Sequence, residues 1–155
     1  MKLKINDPAP SFESVSDEGT KFSLSDLVGK TNIILYFYPK DFTPGCTKEA
    51  CSFRDNWSKV VSMGATVVGI SSDSPESHAD FKKEQKLPFI LVSDQNKSIR
   101  KLYGVDSMFL PSRATFVIDK QGRIRNVFNS QLNISKHVEQ SLAVLQNLAS
   151  SEVTN

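Results

Sequence analysis

Apolar positions along the chain change their spacing at regular intervals, and those changes outline an alternating α/β order. Residues 32–38 (Asn-Ile-Ile-Leu-Tyr-Phe-Tyr) are almost continuously apolar, β-branched and aromatic, the pattern of a central strand covered on both faces. From Cys46 the spacing switches to threes and fours, placing Cys46, Ala50, Phe53, Trp57, Val60 and Val61 on one stripe of a helix that runs to Met63. Residues 65–71 read as a second strand. Ser74-Pro75-Glu76 supplies a cap and a first-turn proline for a helix through Lys86, polar on most faces and anchored by Phe81. A short strand at 89–92 follows, then a helix through Ile99, Leu102 and Tyr103 that leads to Gly104. Residues 114–118 pair with 123–128 across Lys120-Gln121-Gly122, and a last helix carries Val138, Leu142, Leu145 and Leu148 on one face. Two short strand-like stretches near Phe12 and Phe22 precede all of this, and residues 150–155 are expected to fray.

A chain of 155 residues with 39% hydrophobic content suits one compact α/β domain spanning 1–155. Its net charge of +2 is spread over interspersed acids and bases, so no basic stripe marks a nucleic-acid partner. The opening residues lack a signal-peptide apolar run, and no uninterrupted apolar stretch reaches the about 18 residues a membrane span needs. The expectation is a cytoplasmic protein without membrane partners, with an organellar location after transit-peptide removal left open. Cys46 and Cys51 are its only cysteines, a number compatible with a reducing compartment in which a transient disulfide turns over.

The first of those cysteines carries the chemistry. Pro39 ends the central strand, and Thr43 followed by Pro44 offers an N-cap hydroxyl and a favoured first-turn proline. That register makes Cys46 the third helical residue, where unpaired backbone N–H groups and the positive end of the helix dipole favour an anionic, reactive sulfur. Cys51 lies five residues on, rotated about 140° and roughly 7.5 Å along the axis, which holds the two Cα atoms about 8.6 Å apart in an intact helix. A disulfide wants them within roughly 7 Å, so a bond between them requires the first turns to unwind and reads as a catalytic intermediate rather than a staple. An antiparallel strand beginning at Ala114 starts at the same sheet edge, which puts Arg113 beside Cys46 and leaves Arg123 at the far edge. A guanidinium there would stabilise the thiolate and the charge that develops on a departing oxygen. His78 and His137 lie far from the cysteines in sequence, lack zinc-ligand spacing and are expected at the surface. Phe53 and Trp57 are expected in the core.

The pattern Pro39-x-x-x-Thr43-x-x-Cys46 resembles the active-site signature of the peroxiredoxins. The longer string from Pro44 through Gly45, Cys46, Glu49 and Cys51 to Asp55 is similar to the bacterioferritin comigratory protein, or peroxiredoxin Q, branch. The resemblance runs from Asp7-Pro-Ala-Pro-Ser-Phe12 to the last helix. It implies a thioredoxin-like fold with a central mixed sheet flanked by helices, which the strand and helix order fits. It also implies a peroxidatic Cys46, a resolving Cys51, an active-site Arg113, a Thr43 that both caps the helix and touches peroxide, and a Pro39 that shields the thiolate. Glu49 would orient the arginine, and Gly45 is a secondary motif position. Phe42 stands where the branch carries a more variable, often polar residue. With Phe109 it marks a hydrophobic collar that would favour alkyl hydroperoxides.

The implied activity is a thiol peroxidase that acts on hydrogen peroxide and organic hydroperoxides. It is recharged by thioredoxin or a glutaredoxin-like dithiol, with no metal or other cofactor, in a branch that is often monomeric. Two other classes stay in view. A copper carrier of thioredoxin-like fold would pair close cysteines with a histidine, and a protein-disulfide oxidoreductase would carry two residues between its cysteines rather than four. A redox-silent scaffold would be indifferent to oxidation of Cys46.

Overall fold

Residues 3–105 and 113–154 are described by the structure, a computed structural model, so Phe109 lies outside the described residues. Its core is a mixed seven-stranded sheet, ordered β2-β1-β5-β4-β3-β6-β7. β3 (Asn32–Phe37) is central and buried at all six positions, as its unbroken apolar run predicts. It pairs in parallel with β4 (Ala65–Ser71) and antiparallel with β6 (Ala114–Ile118), and β4 pairs in parallel with β5 (Ile90–Ser93). β7 (Ile124–Asn129) closes one edge through the hairpin at Gly122, and β1 (Glu13–Ser16) with β2 (Lys21–Ser23) forms the other by antiparallel pairing to β5. The thioredoxin-like layout expected from the order of elements is the one observed.

Alternate side chains of β3 feed two cores. Ile34 and Tyr36, with Tyr38 beyond the strand, pack with Cys46, Ala50, Phe53 and Val138. That layer draws on helices α1 (Pro44–Asp55), α2 (Trp57–Ser62), α3 (Pro75–Gln85) and α5 (Ile134–Thr154). Ile33, Leu35 and Phe37 face the opposite layer, which holds Phe12, Phe22 and Phe116 and, from and just after the short helix α4 (Ser98–Leu102), Ile99, Tyr103 and Val105. Two-sided burial fixes the carboxyl end of β3, and with it the start of α1.

Several expectations need correction. The cysteine helix does not run unbroken to Met63: Asn56 interrupts it, turning its side-chain amide back to donate to the Ser52 carbonyl at 2.9 Å. An asparagine amide competes in this way with the helical hydrogen-bond pattern. The interruption changes the phase of the stripe, so Val60 is fully buried while Val61 is 51% exposed. Ser74 does cap α3, accepting from the Ser77 N–H. At the other end of the chain, α5 continues through Thr154, so the residues from Ser150 to Thr154 are helical rather than frayed. His78 and His137, expected at the surface, are both completely buried.

Candidate active site

α1 begins with Pro44 as its first residue, and Cys46 sits in its first turn, 1% exposed. The pairing Phe37↔Ala114 brings the start of β6 to the end of β3, so Arg113 arrives next to Cys46 as the topology predicts. Its Nη2 donates to Cys46 Sγ at 3.3 Å, and its Nη1 donates to Glu49 Oε1 at 2.6 Å. Gly45 makes room for that approach. A Cβ there would stand 3.2 Å from Arg113 Nη2 and 3.1 Å from Ile134 Cδ1, tighter than side chains tolerate without shifting.

The charges in this cluster are set by burial. Glu49 is completely buried, and desolvation pushes its carboxyl up to about 7, against the pull of the Arg113 guanidinium. Burial works to lower Arg113, but the facing Glu49 and Cys46 outweigh it and hold the guanidinium above its ordinary value. Tyr36 projects from β3 into the same region, and its buried hydroxyl has no hydrogen-bond partner among the described residues. Burial first, then the proximity of Glu49 and Cys46, raises it well above the usual phenol range. A cation fixed against a buried sulfur favours negative charge there, and its donors need no reorganisation when charge moves to a neighbouring oxygen.

Thr43 does not cap α1 with its side chain. Its backbone takes the capping position, while its hydroxyl donates to the Lys40 carbonyl at 2.8 Å, tying the loop before the helix to itself. Pro39 is half-buried just beyond β3. Phe42 has a positive φ of 66° and is 48% exposed, with its ring edge-on to Phe81 at 5.2 Å. It therefore lies on the outside of the loop, against the ring of Phe81.

Cys51 is half-buried farther along the intact α1, and both thiols are free. Its Sγ donates to Gln85 Oε1 at 3.3 Å, and Arg54 Nη1 donates to the Gln85 carbonyl at 2.6 Å, so the end of α3 holds this side of α1.

Two histidine networks flank the site, and sequence reasoning missed both. Asp41 Oδ1 accepts from the Tyr38 hydroxyl at 2.6 Å, and its Oδ2 takes Ser77 Oγ at 2.9 Å and His78 Nδ1 at 2.7 Å. His78 Nε2 donates to the Val92 carbonyl, and the Asp41 N–H donates to Asp73 Oδ2. The network ties the loop before α1 to α3. Its sequence signal was the i, i+3 spacing of His78 with Phe81, which puts both on one face. Asp41, Asp73 and His78 lie close enough to suggest a metal group, but their facing atoms are already engaged in these hydrogen bonds. His137 projects from α5 to the back of Glu49, with Nδ1 2.8 Å from the Thr115 hydroxyl and 3.7 Å from Glu49 Oε2.

Comparison with known proteins finds relatives over most of the chain. Residues 5–127 match the model of the AhpC/TSA family. The chloroplastic peroxiredoxin Q of Sedum lineare is 49% identical over 150 residues, covering 95% of this chain and 80% of that protein. A putative peroxiredoxin bcp of Coxiella burnetii is 44% identical over 146 residues, covering 89% and 95% respectively. Among solved structures, peroxidoxin BcpB of Mycobacterium tuberculosis superposes with a TM-score of 0.87 at 34% identity, covering 94% of this chain and 97% of that one. A cysteine-to-serine mutant of Xylella fastidiosa PrxQ gives 0.84 at 30% identity, covering 96% and 99%.

Proposed function

The chain belongs to the AhpC/TSA family, in its peroxiredoxin Q and bacterioferritin comigratory protein branch, and is a thiol peroxidase of the atypical two-cysteine type; from that premise we propose that Cys46 is its peroxidatic residue and Cys51 its resolving one. The observation that carries the assignment is the Arg113 guanidinium, 3.3 Å from one sulfur and anchored by the buried carboxyl group of Glu49. Among the described residues no comparable cation contacts the other sulfur, which faces a neutral amide.

The Cys46 thiolate attacks the distal oxygen of ROOH. The O–O bond breaks, sulfur becomes a sulfenic acid, and RO⁻ leaves and takes up a proton, with Arg113 and the free N–H groups of the first turn stabilising its charge. Thr43 orients peroxide and Pro39 limits water, the roles that the motif resemblance gives them. The first turns of α1 then loosen, Cys51 reaches Cys46, and the sulfenic acid condenses to a disulfide with loss of water. An external dithiol, thioredoxin or a glutaredoxin-like protein, takes the disulfide by exchange and returns both thiols. The chain works as a monomer, in the cytoplasm or, as the plant relatives' names indicate for them, in a plastid.

Alkyl hydroperoxides are the favoured substrates, because Phe42 gives the loop an apolar outer face and because a structural neighbour, the bacterioferritin comigratory protein of Xanthomonas campestris, is described by its alkyl peroxide reduction activity. A copper-carrier reading lacks support, since the one metal-compatible group among the described residues contains no cysteine. The deciding assay follows hydroperoxide-dependent oxidation of reduced thioredoxin. The chain should sustain it and Cys46→Ser should abolish it, whereas residual turnover in that variant would reassign the nucleophile.

A further inference from the structure

Glu49 Oε2 is buried and has no hydrogen-bond partner among the described residues, although Oε1 of the same carboxyl is tightly bound to Arg113. A buried carboxylate oxygen without a donor is costly, which asks what faces it. Opposite stands His137 Nδ1, 3.7 Å away. The tautomer of His137 follows from its other nitrogen: Nε2 lies 2.8 Å from the Ser130 carbonyl, an acceptor only, so Nε2 carries a hydrogen. In the neutral ring Nδ1 is then bare, accepting from the Thr115 hydroxyl. An ionised Glu49 would set a carboxylate lone pair against an imidazole lone pair in a dry site. One proton between them removes the conflict.

We propose that Glu49 and His137 hold one proton between them behind Arg113, and that this proton keeps the Glu49 carboxyl neutral so that the guanidinium charge is left to the sulfur of Cys46. The proposal rests on the peroxidase reading above and makes His137 a positioning residue that acts through Glu49. With the hydrogen on Oε2, Oε1 remains a carbonyl acceptor for Arg113, and Oε2 turns from an orphan acceptor into a donor to Nδ1. A small rotation of either side chain closes the gap to an ordinary hydrogen bond. Among the described residues, the charged and titratable groups facing Glu49 are Arg113 beside β6, Cys46 on α1, Tyr36 on β3 and His137 on α5. The directions agree with the geometry. Burial brings Glu49 up to about 7, and burial first, then Arg113, brings His137 down to about 4, so near neutrality the acid is the partner that holds the proton. As pH rises past that point the proton leaves, the arginine is drawn to a full carboxylate, and its help to the sulfur weakens.

The test is a carbon-13 NMR titration of the reduced protein with labelled glutamate carboxyls, the Glu49 signal being assigned by its loss in Glu49→Gln. Stopped-flow oxidation by hydroperoxide is measured beside it. The Glu49 carboxyl should titrate near 7. In His137→Phe, which removes the acceptor for the protonated form, its midpoint should fall by about one unit. Should that variant not fold, Thr115→Val frees Nδ1 from its competing donor and should raise the midpoint instead. Glu49→Gln, a permanent copy of the neutral carboxyl, should lose the decline in oxidation rate above neutrality, whatever its absolute rate. A Glu49 that titrates in the ordinary carboxylate range, a midpoint indifferent to His137 and Thr115, or a decline above neutrality that persists in Glu49→Gln would each overturn the shared proton. A wild-type protein inert to hydroperoxide would instead overturn the peroxidase reading, and the NMR titration would still decide the proton.

Discussion

Cys46 and Cys51 share one helix, five residues apart, yet their surroundings differ in kind. Cys46 is closed in at 1% exposure, with a buried arginine, a buried acid and a buried histidine arrayed behind it. Cys51 is half-buried and donates to the neutral amide of Gln85. Removing one partner from the first group strands a buried charge, which costs several times the loss of an ordinary hydrogen bond such as the one at Cys51. The difference teaches that the helix start is preorganised for the first oxidation, while Cys51 is held loosely enough to join it once the first turns open. That is the division of labour a bridge between two residues of one helix requires.

The largest expected break of this contrast is Cys51→Ser. It should consume one equivalent of hydroperoxide at the wild-type rate and then stall in a thioredoxin-coupled assay, and normal steady-state turnover would remove Cys51 from the resolving role. Next comes Arg113→Met, which takes the cation from the sulfur and strands Glu49. Oxidation measured by stopped flow should slow about 10²- to 10³-fold, the range seen when a fixed donor to developing charge is removed. Gln85→Leu acts on the other side. Losing a hydrogen bond worth about 1 kcal/mol should release the Cys51 thiol and speed disulfide closure about fivefold, leaving the first oxidation unchanged. The smallest change is Phe42→Ser, which should lower the preference for cumene hydroperoxide over hydrogen peroxide in kcat/KM. An unchanged ratio would dismiss Phe42 as part of a collar.

Much of this was legible in sequence because it depends on local pattern and topology. The apolar run of β3, the Ser74-Pro75 start of α3 and the placement of Arg113 beside Cys46 all follow from periodicity, capping and strand direction. What escaped depends on groups brought together from afar. His78 meets Asp41 across 37 residues of chain, and His137 meets Glu49 across the sheet face, so neither shows as a motif and each looked like a surface side chain. Thr43 was misread for a subtler reason: its sequence fits a capping hydroxyl, but the Lys40 carbonyl competes for the same group and wins. The break at Asn56 was hidden likewise, since a single side-chain amide decides it.

The central claim is that one sulfur reacts because of its buried cation and the other only after the helix opens. Stopped-flow fluorescence of Trp57 with one equivalent of hydroperoxide, acid-quenched at intervals and mapped by mass spectrometry, follows both steps. The account predicts sulfenic acid on Cys46 first and a Cys46–Cys51 bridge formed from it afterwards. Oxidation appearing first on Cys51, or a stable sulfenic acid on Cys46 with no bridge, would contradict it.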